Sequence, residues 1–166
     1  MIGLEPSEKT LKVALEHKKL DQKLDETLTY ECSTIEDYNK LGNEGNFDII
    51  TSFEVIEHIN NPEMFIQELS KALKPDGLLF MSTMEKNMQA YFFTVFMAEN
   101  VLGIVDRGTH DYEKFINFKD LERMANDNGL ETISHQTAFY DPVSNTFFYT
   151  PLINAHYLAC FRKLTK

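Results

Sequence analysis

Asn46-Phe-Asp-Ile-Ile-Thr-Ser-Phe-Glu-Val-Ile-Glu-His58 decides the fold. Phe47–Phe53 reads as an apolar strand, carried by Phe47, Ile49, Ile50 and Phe53. That pattern suits a strand covered on both faces, as in a parallel sheet. It runs directly into Glu54, Glu57 and His58. At helical spacing, positions i, i+3 and i+4 share a face. Two carboxylates and an imidazole there suit Mg²⁺, Mn²⁺ or Zn²⁺, with positions left open for substrate oxygens. The plainer reading is an acidic loop after a strand with one structural histidine. No glycine-rich loop precedes this stretch.

The segments on either side extend the same pattern. Met1–Leu4 is a short apolar strand ending at Glu5, and Pro6-Ser7 starts a helix through about Lys19. Leu28–Cys32 reads as a strand. Ser33–Gly45 reads as a polar loop with a turn near Ile35–Tyr38. Pro62 opens a helix at its first turn, with Phe65, Leu69, Ala72 and Leu73 on its inner face. Lys74-Pro75-Asp76-Gly77 ends that helix in a turn before the apolar strand Leu78–Ser82. Met88–Val105 is apolar and helical in pattern, and Asp106–Tyr112 is a polar loop. A helix begins at Asn117 or Lys119 and stops at Asn128-Gly129. Glu131–Tyr140 and Asn154–Arg162 form an antiparallel hairpin. The order β-α-β-β-α-β-α-α-β-β describes an open α/β sheet, mostly parallel, closed by an antiparallel pair.

Bulk composition excludes several classes. The 166 residues suit a single domain, 1–166, and 43% hydrophobic content with 13 Phe and 7 Tyr argues for a packed core. A net charge of −10 is unsuited to gripping nucleic acid or to broad docking on anionic lipid. Cys32 and Cys160 lie far apart without zinc spacing and read as reduced thiols. Met88–Val105 is too short and too interrupted by Glu99 and Asn100 to cross a bilayer. Phe92, Phe93, Phe96 and Met97 suit a greasy substrate channel, a membrane interface or an ordinary buried helix.

In open α/β sheets, ligands sit beyond the carboxyl ends of the strands. Glu5, Glu36, Phe53–Glu54 and Ser82–Thr83 all fall there. Glu5 suits bidentate hydrogen bonding to ribose hydroxyls, or equally the N-terminus of the helix that follows. Glu36 suits an adenine amino group, or simply solvent. His110, near Lys114, is a candidate base or a solvent-exposed loop histidine.

Phe47–His58, Leu73-Lys-Pro-Asp-Gly-Leu-Leu-Phe-Met-Ser-Thr83, Ala98-Glu-Asn-Val-Leu102 and Gly108-Thr-His-Asp-Tyr-Glu-Lys-Phe115 together resemble the ubiquinone-biosynthesis O-methyltransferases. These are class I, Rossmann-like enzymes dependent on S-adenosylmethionine. The resemblance covers essentially the whole chain. It implies that Glu5 holds the cofactor ribose and Phe53 contacts the cofactor. It implies that Glu54, Glu57 and His58 bind a divalent ion, usually Mg²⁺. It implies that Met88–Val105 meets the membrane and a polyprenylated catechol or quinol. Other proteins of ubiquinone biosynthesis are the implied partners. Eukaryotic members imply the matrix side of the mitochondrial inner membrane, peripherally bound; bacterial members imply the cytoplasm or its membrane.

The same resemblance places a first strand, a glycine-rich loop and a cofactor-binding Arg upstream of Met1. The expectation is therefore an N-terminally shortened chain. A lost central strand leaves backbone groups unpaired at about 1–3 kcal/mol each, against a domain stability of about 5–15 kcal/mol. Two other readings stand beside methylation of a prenylated catechol. One is a non-catalytic scaffold subunit of the same fold. The other is a methyltransferase of a different small molecule.

Overall fold

The computed structural model describes residues 1–92, 111–141, 144, 146–150 and 153–165. They form two compact units, Met1–Glu44 and Gly45–Lys166, and the structural elements fall into two separate sheets.

In the first unit, β1 (Ile2–Leu4) pairs in parallel with β2 (Thr29–Glu31), with Ile2 opposite Thr29 and Leu4 opposite Glu31. Between them lie α1 (Glu8–Lys18) and α2 (Gln22–Thr27). Gly3 is required by packing. A Cβ there would stand 2.6 Å from the ring carbons of Tyr30, closer than nonbonded carbons approach. The Ser7 hydroxyl caps α1 by accepting from the Thr10 amide at 3.3 Å. Asp21 caps α2, accepting from Lys23 and Leu24. The expected turn near Ile35–Tyr38 is a helix, α3 (Ile35–Lys40), which Thr34 caps through the Asp37 amide.

The second unit is built on a sheet with strand order β3-β4-β7-β5-β6. Its strands are β3 (Phe47–Phe53), β4 (Leu73–Met84), β5 (Leu130–Asp141), β6 (Thr146–Tyr149) and β7 (His156–Lys163). Among the described strands of this sheet only β3 and β4 run parallel, with β7 antiparallel between β4 and β5, so the sheet is not mostly parallel as expected. β3 ends the strand order, and Ile49 and Phe53 are exposed rather than covered on both faces. The expected pairing of Glu131–Tyr140 with Asn154–Arg162 is present, with Glu131 opposite Arg162. The short β6 adds a further antiparallel strand outside β5.

Helices α4 (Pro62–Ala72) and α6 (Phe118–Asp127) pack on this sheet. Leu79 and Met81 of β4, Tyr157 and Phe161 of β7, Ile66 of α4 and Leu121 and Ala125 of α6 are all fully buried. Full burial of one such side chain contributes about 1.5–3 kcal/mol. Ser70 joins the two helices by donating to the Asn128 carbonyl at 2.8 Å. Asn61 caps α4 through the Met64 amide, with Pro62 just inside, as the sequence predicts.

Two local details differ from the sequence reading. The Lys74–Gly77 turn is a bulge inside β4: Leu73 already pairs with Phe47, and pairing resumes at Ile49 with Leu78. Asp76 enters the left-handed region at φ 62°. Gly77 follows because a Cβ would meet the Lys74 carbonyl oxygen at 2.9 Å. Also, Asn117 makes no side-chain cap on α6; both oxygens of the distant Glu85 accept from the Phe118 amide at 3.3 Å instead. Of the helix expected over Met88–Val105, the first turn is described as α5 (Met88–Ala90), capped by Asn87. Phe93, Phe96, Met97 and His110 lie outside the described residues.

Candidate functional site

The carboxyl ends of β3 and β4 lie side by side, with Phe53 opposite Ser82. Pairing extends one step further, where the Glu54 amide donates to the Ser82 carbonyl at 3.0 Å. The chain then turns sharply. Glu54 sits at φ 53°, a region uncommon for residues other than glycine, and such outliers cluster at functional sites. A single turn of 3₁₀-helix, Ile56–His58, follows.

This geometry leaves the three expected ligands near one another but gives each carboxylate its own hydroxyl partner. Glu54 is exposed, and its Oε1 accepts from the Ser82 hydroxyl at 2.7 Å. Glu57 is 4% exposed, and its Oε2 accepts from the Thr83 hydroxyl at 2.9 Å. Glu57 Oε1 is buried without a hydrogen-bond partner. His58 is exposed, with Nε2 standing 4.0 Å from that oxygen. The expected shared helical face depends on an α-turn, and the left-handed Glu54 breaks it. Among the described residues, no group of three His, Cys, Asp or Glu side chains is arranged to hold a metal ion. The trio therefore does not fit a three-ligand metal centre as it stands. The unpartnered Glu57 oxygen is the one feature that favours a cation there.

Burial, joined by the neighbouring charge of Glu54, pushes the Glu57 carboxyl up to about 7. Its own backbone amide and Thr83 oppose that shift. Tyr157 lies opposite Thr83 on β7, fully buried, and donates its hydroxyl to the Ile116 carbonyl at 3.0 Å. Burial, and after it the acids Glu85, Glu57 and Glu54, raise the Tyr157 phenol far above its ordinary value. Glu85, just past the end of β4, is also raised by burial.

Phe53 is half exposed on the face of the sheet that also carries Phe80, Leu158 and Cys160, where these residues line a shallow pocket with Tyr149. Beside the end of β4, Met84, Ala90, Phe115 and Ala155 form a small apolar cluster. Tyr112 packs against it and meets Tyr91 and Phe115 edge-on, each at 5.5 Å.

Glu5 and Glu36 belong to the other unit. Both lie at the carboxyl end of the parallel β1–β2 pair, Glu5 just past β1 and Glu36 in the first turn of α3. Glu5 Oε1 accepts at 2.8 Å from the amide of Ser7, the residue that caps α1, which sets the carboxylate beside that helix N-terminus. Two acceptor-only carboxylates at that end suit the hydroxyls and amino group of a nucleoside. Sequence reasoning placed Ser82 and Thr83 at a strand end but gave them no role. Two hydroxyls closing an apolar strand beside an acidic one were the available signal.

Comparison with known proteins agrees with this architecture. A family model described as "Methyltransferase domain" matches residues 1–135. A mitochondrial ubiquinone biosynthesis O-methyltransferase of Dictyostelium discoideum is 40% identical over 127 residues, 74% of this chain and 40% of its own length. The Rattus norvegicus protein of the same name is 40% identical over 123 residues, 74% of this chain and 35% of its own length. A ubiquinone biosynthesis O-methyltransferase of Rhizobium etli is 35% identical over 74% of this chain and 48% of its own length. The chain thus spans less than half the length of each of these relatives. Among solved structures, a SAM-dependent methyltransferase of Methanosarcina mazei superposes with a TM-score of 0.69 at 14% identity, over 99% of this chain and 82% of its own. A Thermotoga maritima SAM-dependent methyltransferase gives 0.63 at 18% identity, over 98% and 72%. The fold is therefore that of the SAM-dependent methyltransferases, and with most of its length matched by that one family model, the chain belongs to the methyltransferase-domain family.

Proposed function

We propose that the chain is part of an S-adenosylmethionine-dependent O-methyltransferase acting on polyprenylated catechols or quinols of ubiquinone biosynthesis. The observation that carries this reading is the name shared by relatives from a slime mould, a rat and a bacterium, each matched over 74% of the chain. On this reading Glu5 and Glu36 are cofactor-binding: they accept from the ribose hydroxyls and the adenine amino group, and Phe53 packs against the cofactor. The cofactor, when bound, supplies an electrophilic methyl group.

The chain's own task is to present an oxygen nucleophile. A phenolic hydroxyl titrates near 10, so populating its anion at neutral pH requires roughly 4 kcal/mol of preferential stabilisation. Glu54, exposed and anchored by Ser82, accepts the substrate hydroxyl's hydrogen bond. Glu57 stands behind it, close to neutral strength, and suits receipt of the proton. His110 is a second candidate base. Met88 of α5, with Tyr91 and Phe92 just past it, is an exposed apolar group that supports contact with a prenyl chain and a membrane surface. No helix among the described residues is long and apolar enough to cross a membrane.

A divalent ion, Mg²⁺ first, at Glu54, Glu57 and His58 is a further part of this proposal. It requires those side chains to close on a common point, and no step above depends on it. Location at the mitochondrial inner membrane, alongside other ubiquinone-biosynthesis proteins, is proposed from the eukaryotic relatives' names.

Calorimetry with S-adenosylmethionine, followed by transfer of its labelled methyl to a panel of prenylated catechols, simple phenols and fatty acids, tests the reading. Saturable donor binding and preference for prenylated catechols support it. Absence of donor binding indicates a scaffold subunit, and preference for another class indicates a different methyltransferase.

A further inference from the structure

We propose that Ser82 and Thr83 are positioning residues for the Glu54–Glu57 pair, a role that rests on the methyl-transfer reading above. Consecutive residues of a strand point to opposite faces of its sheet. At the end of β4 the two hydroxyls therefore reach the two acids separately. Ser82 donates to Glu54 Oε1 at 2.7 Å and Thr83 donates to Glu57 Oε2 at 2.9 Å. Each hydroxyl has one proton to donate, and here each goes to a carboxylate. Thr83 and Glu57 are both buried, so solvent does not compete for their bond, whereas the Ser82 bond is only partly buried because Glu54 is exposed.

The arrangement fixes which oxygens remain for chemistry. With Oε2 held by Thr83, Glu57 keeps Oε1 unpartnered. With Oε1 held by Ser82, Glu54 presents its other oxygen. The amide of Glu54, donating to the Ser82 carbonyl, locks the same two residues through the backbone. A left-handed Glu54 alone would leave both side chains free to rotate. The paired hydroxyls remove that freedom before substrate arrives, which is how a supporting residue favours a reactive geometry.

Thr83→Val replaces the hydroxyl by a methyl and keeps the branched shape. Leaving a buried acceptor without its donor costs about 1–3 kcal/mol, or roughly fivefold to hundredfold. In the full chain, kcat for methyl transfer to a prenylated catechol is expected to fall by about that factor. KM for S-adenosylmethionine should stay within about twofold, and Thr83→Ser should restore kcat to within about threefold. An unchanged kcat in Thr83→Val, or a Thr83→Ser variant equally impaired, overturns the proposal.

A second measurement needs no activity. Thr83→Val should shift the folding equilibrium roughly tenfold in the wild-type background, and less than about threefold beside Glu57→Met, where no carboxylate remains to be held. Additive effects overturn the clamp. Coupling in a chain that transfers no methyl rejects the functional reading, and with it the positioning role, while leaving the hydrogen bonds real.

Discussion

Replacing Glu57 by Gln should stabilise the protein at alkaline pH and do little at acid pH. The carboxyl is 4% exposed and pushed up to about 7 from an ordinary 4.5. A carboxyl whose folded value is raised binds its proton more tightly in the folded state. Its contribution is therefore fully present below pH 4.5 and is lost as pH rises through about 7. The difference of 2.5 units corresponds to a ceiling of about 3 kcal/mol. Glu54 beside it is exposed to solvent, which screens part of the shift, so about 1–2 kcal/mol is the expected cost at pH 8.5. Gln keeps an oxygen for the Thr83 hydroxyl and carries no charge. Urea denaturation at pH 5, 6, 7 and 8.5, with the slope of the transition checked for constancy, reads the difference directly. The Gln variant should exceed wild type by no more than about 0.5 kcal/mol at pH 5 and by about 1–2 kcal/mol at pH 8.5. A difference independent of pH, or a variant less stable at pH 8.5, would refute the assignment of a buried, proton-retaining Glu57.

Other predictions follow from packing and capping. Leu79→Ala, at a fully buried position in the middle of β4, should cost about 2–5 kcal/mol in urea denaturation. Gly3→Ala should destabilise the β1–β2 pair by about 1–3 kcal/mol, because the new methyl falls onto the Tyr30 ring; hydrogen exchange of the Tyr30 and Glu31 amides should accelerate. Asn61→Ala should cost about 1 kcal/mol by removing the α4 cap, and Asn61→Asp should recover most of it. Calorimetric titration with MgCl₂ should give saturable heat that Glu57→Gln abolishes, and a flat wild-type titration would remove the ion from the proposal.

Much of the fold was legible because its signals are local and strong. The apolar runs Phe47–Phe53 and Leu78–Ser82, and the Asn61-Pro62 start of α4, each specify their element with few competitors. The helix α2 was not legible: Gln22–Thr27 has no apolar stripe, and only Asp21 marks its start. The helix α3 hid inside a polar segment, although Thr34 with Glu36 and Asp37 in the next turn is an N-terminal signature. The placement of β7 between β4 and β5 depends on pairings far apart in sequence, which periodicity does not encode.

At the site, the spacing of Glu54, Glu57 and His58 put all three just past the end of β3. It suggested one helical face because spacing assumes an α-helix. The left-handed turn at Glu54 sends Glu57 inward to Thr83 and leaves His58 facing outward. Burial of Glu57 was invisible for the same reason, since the 3₁₀ turn that carries it packs against β4 and α4.

The account stands most directly on the rate of labelled methyl transfer from S-adenosylmethionine to a prenylated catechol, measured for wild type and for Glu54→Gln/Glu57→Gln. The prediction is a loss of at least about a hundredfold in kcat with donor affinity within about twofold of wild type. A double variant that turns over at the wild-type rate would contradict it.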